Sequence, residues 1–170
     1  METISIHKPK VVVIGSCNTD MVVKANRLPV PGETILGGTF YMNPGGKGAN
    51  QAIAASRLGA EVTFISKIGY DLFGLQALEI YKSEKINTDF IFTDQKSPSG
   101  VALISVDSFG ENSIIVAPGA SRSLSIEDIN KAEEKIKEAD IILMQLEVPI
   151  ETAEYAAAIA NKYGKKVILN

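Results

Sequence analysis

Tryptophan is absent from this sequence, and cysteine and histidine occur once each, as Cys17 and His7. A lone thiol forms no intramolecular disulfide and leaves no CxxC pair for a metal or a redox couple, so a reducing, cytoplasmic setting is expected. A lone histidine near the start, with no acidic cluster beside it, reads as a solvated terminal side chain rather than a ligand or a general base. A basic excess is missing too. The 17 Lys+Arg against 20 Asp+Glu leave a net charge of −3, the wrong sign for a surface that neutralises a nucleic-acid backbone. The longest apolar stretches, Val11–Gly15, Val101–Val106 and Ile141–Leu146, fall far short of the roughly 20 residues that span a bilayer. The opening METISIHKP has no apolar core ahead of a cleavage site. Nucleic-acid partners, membrane partners, a signal peptide and metal-ligating residues are therefore not expected.

What is present is ordinary for a globular chain: 170 residues, 45% hydrophobic and 22% charged, sufficient for one core. Lys10–Ile14 is a β-branched run without polar alternation, as in buried strands of parallel sheets. Gly15–Asp20 reads as the turn after it, and the prolines of Leu28–Thr34 exclude a helix. Asn43–Gly48 reads as a glycine-rich turn, and the alanine-rich stretch to Leu58, stopped by Gly59, reads as a helix. Val62–Ile68 and Phe90–Phe92 are expected strands, with Asp71 capping a helix over Phe73–Glu84 between them. Ser125 is expected to cap one helix over Ile126–Ala139, with Asp128 placed for a capping box. Asp140–Gln145, a helix from Pro149 to Tyr163 closed by Gly164, and Val167–Leu169 complete the pass. This alternation predicts an α/β fold, a parallel sheet flanked by helices. Extra short strands near residues 21–25, 36–42, 100–106 and 113–117, the last two a hairpin, are left for a separate small sheet.

The turn Gly45–Asn50 fits neither common phosphate loop. A Walker A loop would need glycine at Tyr41 and Ser/Thr at Gly48, and the dinucleotide fingerprint would need glycine at Gln51. Paired glycines before a helix still let a ligand approach the backbone and meet free amides; taken alone, the loop reads equally as a tight turn with a solvated Lys47. Asn18 and Asp20 follow the first strand, and Glu147 follows a later one, where open parallel sheets place ligands. Singly these are turn formers or a helix-terminus charge. Together with Lys47 and Asn50 they offer donors and acceptors suited to the hydroxyls of a polyol.

These residues carry a resemblance. Asn18-Thr19-Asp20, Pro29–Thr34 (PVPGET), Gly45–Ala52 (GGKGANQA) with glycines following at Gly59 and Gly69, and Gln145-Leu146-Glu147 together resemble the amino-terminal half of the ribokinase family of carbohydrate kinases. The GGKGANQA form is more similar to ribokinases than to phosphofructokinase-type relatives, which tend to carry isoleucine at Ala49. The resemblance implies a Rossmann-type layered fold with a small β-sheet lid, and transfer of the ATP γ-phosphate to the 5-hydroxyl of D-ribose with Mg²⁺ and, in addition, a monovalent cation such as K⁺. It implies that Asn18, Asp20, Gly46, Lys47, Asn50 and Glu147 hold the sugar, and that a homodimer forms through the lid. Val22, Val23, Phe40, Ile104 and Ile115 are then candidates for the sugar-facing, partner-facing or core surface of that lid. The family's Gly-Ala-Gly-Asp turn, with its general-base aspartate, does not occur in the sequence, and Asp71 in Gly69-Tyr70-Asp71 is no substitute for it. Residues 1–170 are thus expected to be the amino-terminal part of one such α/β domain, truncated after Asn170, with the base and the ATP and cation sites lying beyond it and the chain alone inactive. Two alternatives remain at this level: a kinase for another pentose, deoxyribose or a nucleoside, and a non-catalytic sugar-binding or dimerisation module.

Overall fold

In the computed structural model, which describes residues 8–170, β1 (Lys10–Ile14) runs through the middle of a five-stranded sheet. His7 lies outside the described residues. The sheet order is β5 (Ile91–Asp94), β4 (Glu61–Gly69), β1, β8 (Ile141–Met144), β9 (Lys166–Leu169), and every pairing is parallel. The unbroken β-branched character of β1 follows from burial on both faces: Val12, Val13 and Ile14 are at most 2% exposed. One layer holds α1 (Lys47–Arg57) and α2 (Leu72–Ser83), whose Ala49, Ala52, Ala77 and Tyr81 pack with Val13 and Phe64. The other holds α3 (Ile126–Lys131), α4 (Glu133–Glu138) and α5 (Ile150–Lys162), around Ile129, Ile136 and Ala156. The chain leaves β1 toward β4 on one side and returns through β8 on the other, so the carboxyl end of β1 is the topological switch point at which such sheets open a crevice.

A second, four-stranded sheet has the order β3 (Thr39–Gly45), β2 (Asn18–Lys24), β6 (Gly100–Val106), β7 (Asn112–Ala117). The expected hairpin is present, with β6 and β7 antiparallel and Val101 opposite Ala117. Two segments read as turns are strand instead. Pairing of β2 begins at Asn18, opposite Gly45 and Gly100, so Asn18–Asp20 belong to β2 and Asn43–Gly45 to β3. Long-range ladder bonds override the local turn preference of Asn, Asp and Gly. Pro44 is tolerated because β3 is the edge of its sheet.

The helix expected over Ile126–Ala139 is broken. Ser125 and Asp128 form the capping box, but Ala132 adopts φ −99°, ψ 4° and separates α3 from α4. The amide of Ala132 donates to the Ile129 carbonyl at 3.0 Å, a tightened turn that leaves Ile129, Ala132 and Ile136 all fully buried. The Pro29–Thr34 segment owes its shape to Glu33, which accepts from the Val30 amide at 3.1 Å and from both terminal nitrogens of Arg27. Those donors hold the Glu33 carboxyl down at about 2. Glu33 is a loop clamp, and its side-chain partners among the described residues, Arg27 and Val30, lie within the same loop.

Candidate functional site

The crevice at the end of β1 is assembled by close backbone approach. Gly46, at φ 89°, is the N-cap of α1, and a Cβ there would lie 2.9 Å from Cys17 Cα and from the Ser16 carbonyl oxygen. A Cβ on Gly48 would lie 2.7 Å from the Gly15 carbonyl carbon. Glycine at both positions lets the start of α1 press onto the Gly15–Asn18 crossing. That contact occupies two of the amides at the helix start: Ala49 N–H donates to the Ser16 carbonyl at 3.0 Å, and Lys47 N–H to Glu147 Oε2 at 3.1 Å. The glycine loop thus packs α1 tightly and orients its side chains.

Glu147, in the β8–α5 connection, is tied down from three directions. Ser16 Oγ donates to its Oε2 at 2.6 Å, the Lys47 amide donates to the same oxygen, and Lys47 Nζ stands 3.2 Å from Oε1. Burial pushes its carboxyl up, but the Ser16 hydroxyl and the Lys47 amide and ammonium outweigh this and hold it below the usual range. Asp20, on β2, is displaced the opposite way. Burial raises its carboxyl, and the neighbouring Glu147 charge adds to the rise. The carboxylate lies against Gly45, where a Cβ would fall 2.0 Å from Oδ1. Asn18, the first residue of β2, is 8% exposed, and its Oδ1 is buried with no hydrogen-bond partner. Asn50 is exposed one turn beyond Lys47 on α1, on the same helical face.

The structure thus brings together Asn18, Asp20, Gly46, Lys47, Asn50 and Glu147, with Asn18 and Asp20 on a strand rather than on a turn. Ser16, not anticipated from sequence, is the hydroxyl that fixes Glu147; its position directly after β1 and Gly15 was the available signal. Gln145 stands in the sequence only as the first residue of the Gln145-Leu146-Glu147 motif. It is fully buried beside Gly15 and donates from Nε2 to Gln51 Oε1, locking β8 to α1 beneath the site. Cys17 is buried under the same crossing, and burial pushes its thiol up to about 11, so it is held as an inert thiol. Chemically, the cluster combines one acceptor that retains spare capacity, Asp20, an unsatisfied amide oxygen on Asn18, and an ammonium with an adjacent amide on α1. Such a set of donors and acceptors is chemically suited to hydroxyl groups, and it contains no activated nucleophile.

Comparison with known proteins identifies the family. Residues 8–170 match the family described as pfkB family carbohydrate kinase. The chain is 45% identical over 158 residues to the ribokinase of Haemophilus influenzae, covering 93% of this chain and 52% of that protein. It is 39% identical over 160 residues to the deoxyribokinase of Salmonella typhi, covering 94% and 52%. The structure of Arabidopsis thaliana ribokinase complexed with ribose and ATP is similar with a TM-score of 0.82 at 33% identity, over 96% of this chain and 53% of that one. The chain therefore spans about half the length of the relatives it matches. A crevice built at the β1 switch point, with the GGKGANQA helix start packed into it and the family match running along residues 8–170, places the chain in the pfkB family of carbohydrate kinases.

Proposed function

We propose that the intact protein transfers the γ-phosphate of ATP to the 5-hydroxyl of D-ribose, and that this chain is the amino-terminal, sugar-binding part of its α/β domain. The observation that carries the reading is the convergence of Asp20, Asn18, Lys47 and Glu147 on one crevice, where Glu147 is taken up by Ser16 and Lys47 and the Asp20 carboxylate has no hydrogen-bond or ion-pair partner among the described residues. Phosphoryl transfer of this kind depends on positioning and charge stabilisation, with a base for the attacking hydroxyl. In this proposal the chain's residues orient the sugar. Asp20 accepts from two hydroxyls, Lys47 and Asn50 donate to the ring substituents, Gly46 allows close approach, and Glu147 keeps Lys47 in place.

ATP, Mg²⁺ and a monovalent cation belong to the same proposal and would supply the phosphoryl group and its counter-charge. Among the described residues no group of three or more His, Cys, Asp or Glu is placed to hold a metal, so none is assigned to one. The general base is expected from the Gly-Ala-Gly-Asp turn that this sequence does not contain, and the 170-residue chain alone is expected to be inactive. A cytoplasmic location is part of the reading and rests on the lone cysteine. Because a deoxyribokinase is 39% identical over nearly the same span, deoxyribose is the second reading. Phosphorylation rates of the intact protein across ribose, deoxyribose, other pentoses and nucleosides decide between them. The highest kcat/KM is expected on ribose, and dominant turnover of deoxyribose would replace it.

A further inference from the structure

A short 3₁₀ turn, Gly119–Ser123, follows β7 and returns the chain from the small sheet to the body. Its backbone is fixed on both sides of Arg122. Before it, Ser121 Oγ lies 3.3 Å from both the amide nitrogen and the carbonyl oxygen of Cys17, accepting from the first and donating to the second. After it, Ser123 Oγ donates to Asp94 Oδ2 at 2.5 Å, and the Ser123 carbonyl accepts from Lys67 Nζ at 3.1 Å. Lys67 is itself held 2.8 Å from Asp128 Oδ2 in a buried ion pair. The Arg122 side chain, by contrast, is exposed and has no hydrogen-bond or ion-pair partner among the described residues. A turn anchored on both sides presents a guanidinium that no group among the described residues pairs with.

Arg122 borders a cavity of about 290 Å³ that it shares with Ser16, Asn18, Val116, Leu146 and Glu147. The charges around this cavity do not balance in an arbitrary way. Glu147 is satisfied by Ser16 and by Lys47, so it makes no demand on Arg122. The buried Oδ1 of Asn18 remains an acceptor without a donor, which a hydroxyl can fill. The cation left over matches an anion instead: a guanidinium presents parallel N–H donors that fit two oxygens of one phosphoryl group. We propose that Arg122 is a phosphoryl-binding residue of this cavity, gripping the phosphoryl group of a ligand whose hydroxyl end meets Asn18. The proposal deepens the sugar-kinase reading, and a phosphoryl group there has two sources: a sugar monophosphate or a nucleoside triphosphate.

Calorimetric titration of the intact protein separates them, using D-ribose, D-ribose 5-phosphate, a non-hydrolysable ATP analogue and inorganic phosphate against wild type, Arg122→Gln and Arg122→Lys. Arg122→Gln is expected to weaken at least one phosphorylated ligand by about tenfold, the effect of losing a charge-assisted pair, and to leave ribose within about twofold. Loss confined to ribose 5-phosphate assigns the sugar phosphate, and loss confined to the nucleotide assigns the triphosphate. Arg122→Lys keeps the charge without the fork and is expected to fall between. Unchanged affinity for both phosphorylated ligands and for phosphate in Arg122→Gln overturns the proposal. Absence of ribose binding in wild type would overturn the ribose assignment instead, since the nucleotide and inorganic phosphate titrations still decide the role of Arg122.

Discussion

At the scale of single residues, the site separates two carboxylates that sequence alone treats alike. Glu147 is held charged by the Ser16 hydroxyl and by Lys47, whereas Asp20 is raised by burial and by the Glu147 charge. A carboxyl whose pKa is raised on folding stabilises the native state fully only below its unfolded value, ordinarily 3.8, and that contribution is lost as pH rises through the higher native value. At neutral pH Asp20 is therefore a liability to the empty protein. Asp20→Asn is expected to raise the melting temperature at pH 7 while weakening sugar binding, and the two changes are read by thermal melts and by titration with ribose. A lowered melting temperature would mean that the carboxylate is held by contacts rather than kept available. Asp20→Ala, which leaves bound hydroxyls without their acceptor, is expected to cost about 1–3 kcal/mol of sugar affinity, and unchanged affinity would make Asp20 a structural strand residue. Glu147 moves the other way: its stabilisation is present above its usual value of 4.5 and is lost as pH falls through its lowered native one. Residue types at strand ends were enough to nominate both carboxylates. Their opposite displacement was not legible, because it depends on Ser16 and Lys47 meeting Glu147 across the fold.

At the scale of elements, legibility followed the range of the interaction. The Asp71 cap, which accepts from the Gly74 amide at 2.9 Å, and the Ser125–Asp128 capping box lie within one turn of sequence and were readable there. The extension of β2 back to Asn18 and of β3 on to Gly45 was not, since it exists only through pairing across the small sheet. The seating of α1 depends on contacts of the same long-range kind. Alanine in place of Gly48 would gain about 1 kcal/mol in helix propensity, but its Cβ would meet the backbone of Gly15 and Ser16 at 2.7 Å. Backbone does not yield as a side-chain tip does, so overpacking of about 1–3 kcal/mol prevails. Gly48→Ala is expected to lower stability and to weaken sugar binding together, because lifting α1 withdraws the Lys47 amide from Glu147. Denaturant melts and ribose titration test this, and a stabilised protein with wild-type affinity would show that α1 is free to shift.

At the scale of the whole molecule, the small sheet has two faces with different surroundings. Strand register places Asp20, Val22, Ala102, Ile104 and Val116 on one face, and Val116 borders the cavity beside Asn18 and Glu147. The other face carries Val23, Phe40, Met42, Leu103 and Ile115, matched across the strands by the same register. Of these, Phe40 is 58%, Leu103 54% and Ile115 69% exposed, a contiguous apolar patch of the kind that marks a protein interface. The candidates left unsorted by sequence thus divide, with Val22 and Ile104 on the face of Asp20, and Val23, Phe40 and Ile115 on the face turned from it. The homodimer that the family resemblance implies would use that second face. A two-fold interface carries every substitution twice, so one charge per chain introduces two desolvated charges per dimer. Leu103→Asp in the intact protein is expected to give a monomer in sedimentation velocity, whereas Leu58→Asp, at an 88% exposed position at the end of α1, is expected to leave the dimer intact. A Leu103→Asp protein that still sediments as a dimer would move the interface away from this face, and a wild-type monomer would remove the homodimer altogether.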